Sequence, residues 1–318
     1  MLRWLARILL ILLALLATAL GYFGWKFYFV NVRDVPTARS GPLTATLPAG
    51  EKLRFFVLGD SGSGDSFQMA VAQAMDRRCR ETGLDGIIHV GDIFYEEGVA
   101  SVDDPQWQSK VETPYGLPCL RDKPIYAVHG NHDLILNSNA QIEYGGTHPR
   151  WVQPYRFYER RFGSLLQLIA LDGYYPDWCG DPGRCTLDFA RQALERRDTV
   201  WRVAFSHYPL GSGNAERSLS WRSRVLRWVL CDADLDLYFA GHDHHLEHRV
   251  DSSCRPELFV SGGGGGDLYP VKSYDPDSRF LVSAHGFAEL ELDARTATVR
   301  FFGADSRLLY ESTRHGRH

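Results

Sequence analysis

Apolar residues in this chain come as short runs closed by glycine, and the period of each run predicts its element. The stretches Lys52-Leu53-Arg54-Phe55-Phe56-Val57-Leu58, Gly86-Ile87-Ile88-His89-Val90 and Ile125-Tyr126-Ala127-Val128 are short, nearly continuous and rich in β-branched or aromatic side chains. Such runs suit strands buried on both faces of a parallel sheet. Between the first two, Phe67, Ala70, Val71, Ala74 and Met75 recur at helical spacing and predict a helix over 66–80. A helical stretch over 105–111 leads to the third strand. Two further runs, 155–161 and 165–171, joined at Phe162-Gly163-Ser164, read as a strand pair in a second, partly antiparallel sheet. Helices over 187–197 and 220–231 then alternate with strands over 200–205 and 235–240. Strands over 245–250, 258–261, 286–292, 296–302 and 307–312 finish the chain. This order predicts one α/β domain of two packed sheets with helices outside.

The glycine run Gly262-Gly263-Gly264-Gly265-Gly266 interrupts that rhythm. A phosphate-cradling loop would need a helix directly after it, and Asp267-Leu268-Tyr269-Pro270 does not start one well. The run reads either as a flexible rim loop or as a place where backbone passes close to another segment.

The amino terminus follows a different pattern. Arg3 and Arg7 precede an uncharged, Leu/Ile/Ala-rich stretch over 8–25, followed by the aromatic cluster Tyr22, Phe23, Trp25, Phe27, Tyr28 and Phe29. The length and aromatic belt fit an uncleaved membrane anchor. Ala17-Thr18-Ala19 resembles a signal-peptidase site, so a cleaved leader is the competing expectation, although apolar residues continue well past it. Positive charge ahead of the span keeps the start in the cytosol and exports the rest, to the periplasm in a bacterium, or into the medium if the leader is removed. Pro36, Gly41, Pro42, Pro48 and Gly50 mark a linker. The expected division is therefore 1–30 anchor or signal peptide, 31–50 linker and 51–318 one folded domain.

At 318 residues and 44% hydrophobic content the chain can bury a large core. A formal charge of -4 and a pI near 6.3 give no basic field, so nucleic acid is not an expected partner. Six cysteines without a C-x-x-C pair fit an exported protein. Cys179 and Cys185 bracket a turn-rich loop and are the expected disulfide, while Cys79, Cys119, Cys231 and Cys254 read equally well as reduced, buried thiols. The sequence has no N-x-S/T sequon, which leans toward a bacterial envelope.

Five strands end in a glycine or serine followed by a residue that can bind metal: Gly59-Asp60, Gly91-Asp92-Ile93-Phe94-Tyr95, Gly130-Asn131-His132-Asp133, Ser206-His207-Tyr208-Pro209 and Gly241-His242-Asp243-His244. Ligand sites in open α/β sheets lie at such carboxyl ends. Asp60, Asp92, Tyr95, Asn131, His207, His242 and His244 supply enough oxygen and nitrogen donors for two adjacent cations. His242 and His244, two apart in an extended segment, would point to the same side. One set is hard and anionic: Asp60, Asp92, Tyr95 as phenolate and one imidazole. The other is softer: Asp92 shared, Asn131 and two imidazoles. The asymmetry predicts a trivalent iron beside a divalent iron, zinc or manganese. Any one of these residues alone would read as a cap, a turn former or a core histidine; five in this order do not.

These motifs resemble the calcineurin-like metallophosphoesterases and, within them, the purple acid phosphatases, closest to the small tartrate-resistant type. Gly98-Val99-Ala100-Ser101-Val102 and Ala140-Gln141-Ile142-Glu143-Tyr144 add to the likeness. The resemblance implies a four-layer α/β/β/α sandwich. It implies that Asp60, Asp92, Tyr95 and His244 hold ferric iron, and that Asp92, Asn131, His207 and His242 hold the divalent ion. His132 would stand over the substrate phosphate and serve the leaving oxygen. Tyr95 is the residue that selects the purple branch. The sequence departs from the small type in having no histidine between His207 and His242, where Asn214 or Glu216 lies in the corresponding neighbourhood.

The expected activity is hydrolysis of small-molecule phosphate monoesters, with a hydroxide made available by two cations and His132 and Asp92 as catalytic residues. A manganese- or zinc-dependent phosphodiesterase or nucleotide hydrolase on the same fold is the alternative; a metal-stabilised envelope binding module without turnover is the reading from another class. His89 is expected to be structural, and His129, His245 and His248 to face solvent or support the ligands.

Overall fold

The computed structural model describes residues 2–31, 43–45, 52–175, 185–214, 219–271 and 275–316. The chain divides into two compact units, Met1–Thr37 and Ala38–His318. The first contains helix α1 (Leu2–Asn31), whose side chains are described at Trp4 and over 7–22. Its large apolar side chains, among them Leu9, Ile11, Leu13, Leu16 and Leu20, are exposed. Among the described residues, no helix is long and apolar enough to cross a membrane, so the fold lends no support to the expected span.

The second unit is built, in chain order, from β1 (Leu43–Ala45), β2 (Leu53–Leu58), α2 (Ser66–Thr82), β3 (Gly86–His89), a π-helical turn (Gln108–Glu112) running into α3 (Thr113–Tyr115), β4 (Ile125–Ala127), α4 (Ser138–Thr147), β5 (Trp151–Val152), β6 (Tyr158–Phe162), β7 (Leu166–Ala170), α5 (Thr186–Glu195), β8 (Trp201–Phe205), α6 (Trp221–Leu230), β9 (Leu237–Ala240), β10 (Leu246–Arg249), β11 (Glu257–Ser261), β12 (Ser278–Val282), β13 (Gly286–Leu292), β14 (Thr296–Gly303) and β15 (Leu308–His315). They form a seven-stranded sheet, β15-β14-β13-β2-β3-β4-β5, and an eight-stranded sheet, β1-β6-β7-β8-β9-β11-β10-β12. In the first, β2, β3, β4 and β5 run parallel; in the second, β7, β8, β9 and β11 do. All five motifs therefore leave carboxyl ends of parallel strands.

The period of two along a strand explains the layers. Leu53, Phe55 and Val57 of β2 point into the core between the sheets, with Leu166, Leu168, Val203, Phe205, Leu237 and Phe239 from the other sheet. Phe56 and Leu58 point the opposite way and pack under Val71, Ala72, Met75 and Cys79 of α2. Helix α2 is capped by Asp65, whose carboxylate accepts from the Phe67 and Gln68 amides, and it stops at Gly83.

Several expectations change. The segment read as linker contains β1, which pairs in parallel with β6, because even a three-residue stretch can complete an open sheet edge. Helix α4, with glycines at 145 and 146, lacks the apolar stripe that reveals a helix, and strand β12 lacks a clean alternation; neither was expected. The four open thiols form two disulfides, Cys79–Cys119 and Cys231–Cys254, closing sequence separations of 40 and 23 residues. Loops of that size stabilise by ~3–4 kcal/mol each in the chain-entropy model. Cys185 is disulfide-bonded, while its expected partner Cys179 lies outside the described residues.

Candidate metal centre

Three of the five exits are tight turns. Asp60, Asp92 and His242 have φ of 56°, 52° and 67°, the left-handed region that non-glycine residues rarely occupy. The neighbouring loops hold them there: the Asp60 amide donates to Gly91 O (2.9 Å), and the His242 amide donates to both Asp60 carboxylate oxygens (3.1 and 2.9 Å). The preceding glycines permit the contact. A Cβ on Gly130 would fall 2.1 Å from Asp92 Oδ1.

The seven predicted donors come together in two groups that share one carboxylate. Tyr95 Oη lies 3.3 Å from Asp60 Oδ1, 3.3 Å from Asp92 Oδ2 and 3.0 Å from His244 Nε2. His207 Nε2 lies 3.3 Å from the same Asp92 Oδ2 and 3.1 Å from Asn131 Oδ1, and Asn131 Oδ1 is 3.0 Å from His242 Nδ1. His242 and His244 do not face the centre by strand alternation. Their segment is a pair of tight turns, Asp243 N to Gly241 O (2.8 Å) and His245 N to Asp243 O (2.7 Å), which send the two imidazoles to different groups.

The chemistry of this cluster fits cations. His207 Nδ1 faces Val90 O at 3.0 Å and His244 Nδ1 faces Asp267 O, so each donates outward and turns a lone pair inward at Nε2. The His207 Nε2 and His242 Nδ1 atoms approach each other to 3.2 Å. Burial and the charges of Asp60 and Asp92 drive the Tyr95 phenol far above its ordinary value, so a phenolate here requires positive charge beside it. Burial pulls the His207 imidazole down, but with no cation between them the Asp92 charge and hydrogen bond overrule it and push it up to about 9, so a cation at Nε2 would take the place of that proton. Asp60, Asp92 and His207 offer buried ligand atoms within 4.8 Å of one another.

Two supporting features complete the site, the first unmarked in the sequence and the second read there with two alternatives. Asp133 is buried, and its carboxylate accepts from the amides of Ile93 (2.9 Å), Phe94 (3.1 Å) and Gly130 (2.7 Å), binding the Asp92 loop to the Asn131 loop. Burial and the nearby Asp92 charge raise it to about 7. The motif Gly-Asn-His-Asp contained it, but nothing local marked the last residue as a clamp. The glycine run is the second feature. It is buried rather than a flexible rim, and Gly266 donates to Asp60 O at 2.7 Å; a Cβ on it would sit 3.1 Å from the Tyr95 ring and 3.2 Å from the His244 ring. The alternative expectation of close backbone approach describes it.

His132 donates its amide to Asp92 Oδ1 (2.9 Å), and its Nδ1 faces Glu96 O (2.6 Å). It stands edge-on to the Tyr95 ring, at 4.7 Å, on the wall of a cavity of about 460 Å³ that also exposes Tyr95 and His244. His89 is buried and bonded to Ser61 Oγ (2.8 Å), and burial lowers it to about 3, as a structural histidine requires. His129, His245 and His248 are also buried, contrary to a solvent-facing expectation. They bond to Ser138 O (2.8 Å), Glu247 (3.1 Å), and Glu257 (3.1 Å) with Tyr310 (2.9 Å), respectively. Asn214 is buried and donates its amide to Pro270 O at 3.3 Å. Glu216 lies outside the described residues.

The family model described as calcineurin-like phosphoesterase matches residues 53–246. Tartrate-resistant acid phosphatase type 5 of Homo sapiens is 27% identical over 294 residues, covering 82% of this chain and 90% of the relative. Purple acid phosphatase 17 of Arabidopsis thaliana is 26% identical, covering 81% and 82%. Among solved structures, GAP50, the anchor in the inner membrane complex of Plasmodium, superposes with a TM-score of 0.74 at 22% identity, over 85% of this chain and 90% of that one. A purple acid phosphatase from yellow lupin seeds gives 0.64 at 17% identity, over 83% and 54%. At these identities the two structures speak to the fold alone.

Proposed function

The chain belongs to the calcineurin-like phosphoesterase family and is a phosphoester hydrolase, and from that premise we propose that it is a purple acid phosphatase that hydrolyses phosphate monoesters. Asp60, Asp92, Tyr95 and His244 would hold a ferric ion, and Asp92, Asn131, His207 and His242 a divalent iron, zinc or manganese. When bound, such a pair neutralises the phosphoryl oxygens and lowers the pKa of water enough to supply hydroxide at acid to neutral pH. The chain's own residues do the rest. Val90 O and Asp267 O fix the His207 and His244 tautomers. Asp133 holds two ligand loops in register. Glu96 O orients the His132 ring, so that protonated His132 delivers a proton from Nε2 to the departing alkoxide as the ester P–O bond breaks and water supplies the new one.

The observation that carries this reading is the Tyr95 hydroxyl, at 3.3 Å from both carboxylates and 3.0 Å from an imidazole nitrogen. A phenolate among those donors would absorb visible light by charge transfer if ferric iron is held there. Elemental analysis with a visible spectrum tests it: the protein should contain iron and be pink to purple, and Tyr95→Phe should bleach the colour. Colourless wild-type protein with one iron per chain sinks the assignment.

The exposed apolar side chains of α1 support a further proposal, that this segment tethers an exported catalytic domain to the membrane or is its leader. Fractionation of cells expressing the full chain should find phosphatase activity outside the cytosol; activity wholly in the cytosol refutes it.

A further inference from the structure

The cavity over Tyr95 and His244 is where a leaving group must lie if the phosphoryl group sits at the metal centre and His132 serves the departing oxygen. Its walls have a definite chemistry. Glu96 and Asp267 line it, both exposed, against the one cation the mechanism places there, His132, and neither lysine nor arginine lines it among the described residues. The Lys110 ammonium, near enough to Glu96 to feel its charge, is held by Tyr95 O and by Gln106 Oε1 at 2.8 Å. Two phenol rings complete the wall. Tyr269 stacks on the His244 imidazole (centroids 4.3 Å apart, 17° between planes), and Tyr95 meets the His132 edge. Backbone ties keep the wall in place: Tyr269 N donates to His244 O at 3.3 Å, and Gly266 N donates to Asp60 O at 2.7 Å.

Carboxylates beside aromatic faces recognise organic ammonium groups. The same carboxylates repel leaving groups that carry further phosphates or a carboxylate. We propose that Glu96, Asp267 and Tyr269 determine specificity, selecting small monoesters whose leaving group carries an ammonium, the aminoalkyl phosphates, and disfavouring nucleoside di- and triphosphates. This rests on the phosphatase reading above. The reaction itself is unchanged: water adds to phosphorus, the ester P–O bond breaks, and the amino alcohol leaves with the proton from His132.

Three substrates of similar size isolate the charge. O-phosphoethanolamine, propyl phosphate and 2-phosphoglycolate have cationic, neutral and anionic leaving groups, with 4-nitrophenyl phosphate as a general reporter. On the metal-loaded full chain at low salt, kcat/KM should fall in that order, by on the order of fivefold per step, and the spread should shrink as salt screens the pocket. The double variant Glu96→Gln/Asp267→Asn should compress the spread toward one, while the wild-type salt dependence stands as a readout that needs no variant. Equal or faster turnover of 2-phosphoglycolate or a nucleoside diphosphate, or a spread that the double variant leaves intact, overturns the pocket assignment even where 4-nitrophenyl phosphate is hydrolysed. No turnover of any of the four overturns the phosphatase reading and this inference together.

Discussion

The two sheets bring different atoms to the same place. The seven-stranded sheet, through the ends of β2, β3 and β4, contributes Asp60, Asp92, Tyr95 and Asn131, all of which present oxygen. The eight-stranded sheet, through β8 and β9, contributes His207, His242 and His244, all of which present nitrogen. Neither sheet alone offers a mixed donor set, and each donor group combines atoms from both. The centre is therefore a property of the interface between the sheets. The core of Phe55, Val57, Phe205, Leu237 and Phe239 beneath it fixes ligand geometry as well as stability.

The comparison can be broken where the oxygen side does double duty. Asp92 is the one carboxylate common to both groups, and its other oxygen accepts from His132. Asp92→Asn keeps the shape but removes the charge, so both ions should be lost or weakened and kcat/KM should drop on the order of a thousandfold or more. Metal content and steady-state kinetics check this; a variant that retains two ions and most of its activity would show that the groups do not share that residue.

A smaller effect sharpens the contrast from the nitrogen side. His207 contacts Asn131 and Asp92 but is absent from the group around Tyr95. His207→Ala should lose the divalent ion, keep iron and colour, and cost about a hundredfold in activity. If the visible band disappears along with the second metal, the division into two groups is wrong.

What each part of the molecule revealed in advance follows from how local its cause is. Strands β2, β3, β4, β8 and β9 were legible because their apolar runs are buried on both faces, and α2 because its stripe has the helical period. Helix α4 was invisible because it has no apolar stripe: it is capped locally by Asn137 and tied to β5 by a tertiary bond, Trp151 Nε1 to Gln141 O (2.9 Å). Strand β1 exists because β6 offers an open edge.

The candidate site divides in the same way. Sequence alone singled out the candidate donor residues, since each lies in the loop that leaves a strand through a glycine or serine, and it showed oxygen and nitrogen donors enough to suit two ions. Only the tertiary structure decided that His242 and His244 part company through tight turns, that Asp133 clamps two loops, and that a buried glycine run presses against the rings of Tyr95 and His244. The reason is distance along the chain: a turn residue answers to its neighbours, whereas a clamp or a close backbone approach answers to segments 40 to 206 residues away, such as Ile93 with Asp133 or Gly266 with Asp60, which meet only after the sheets have packed.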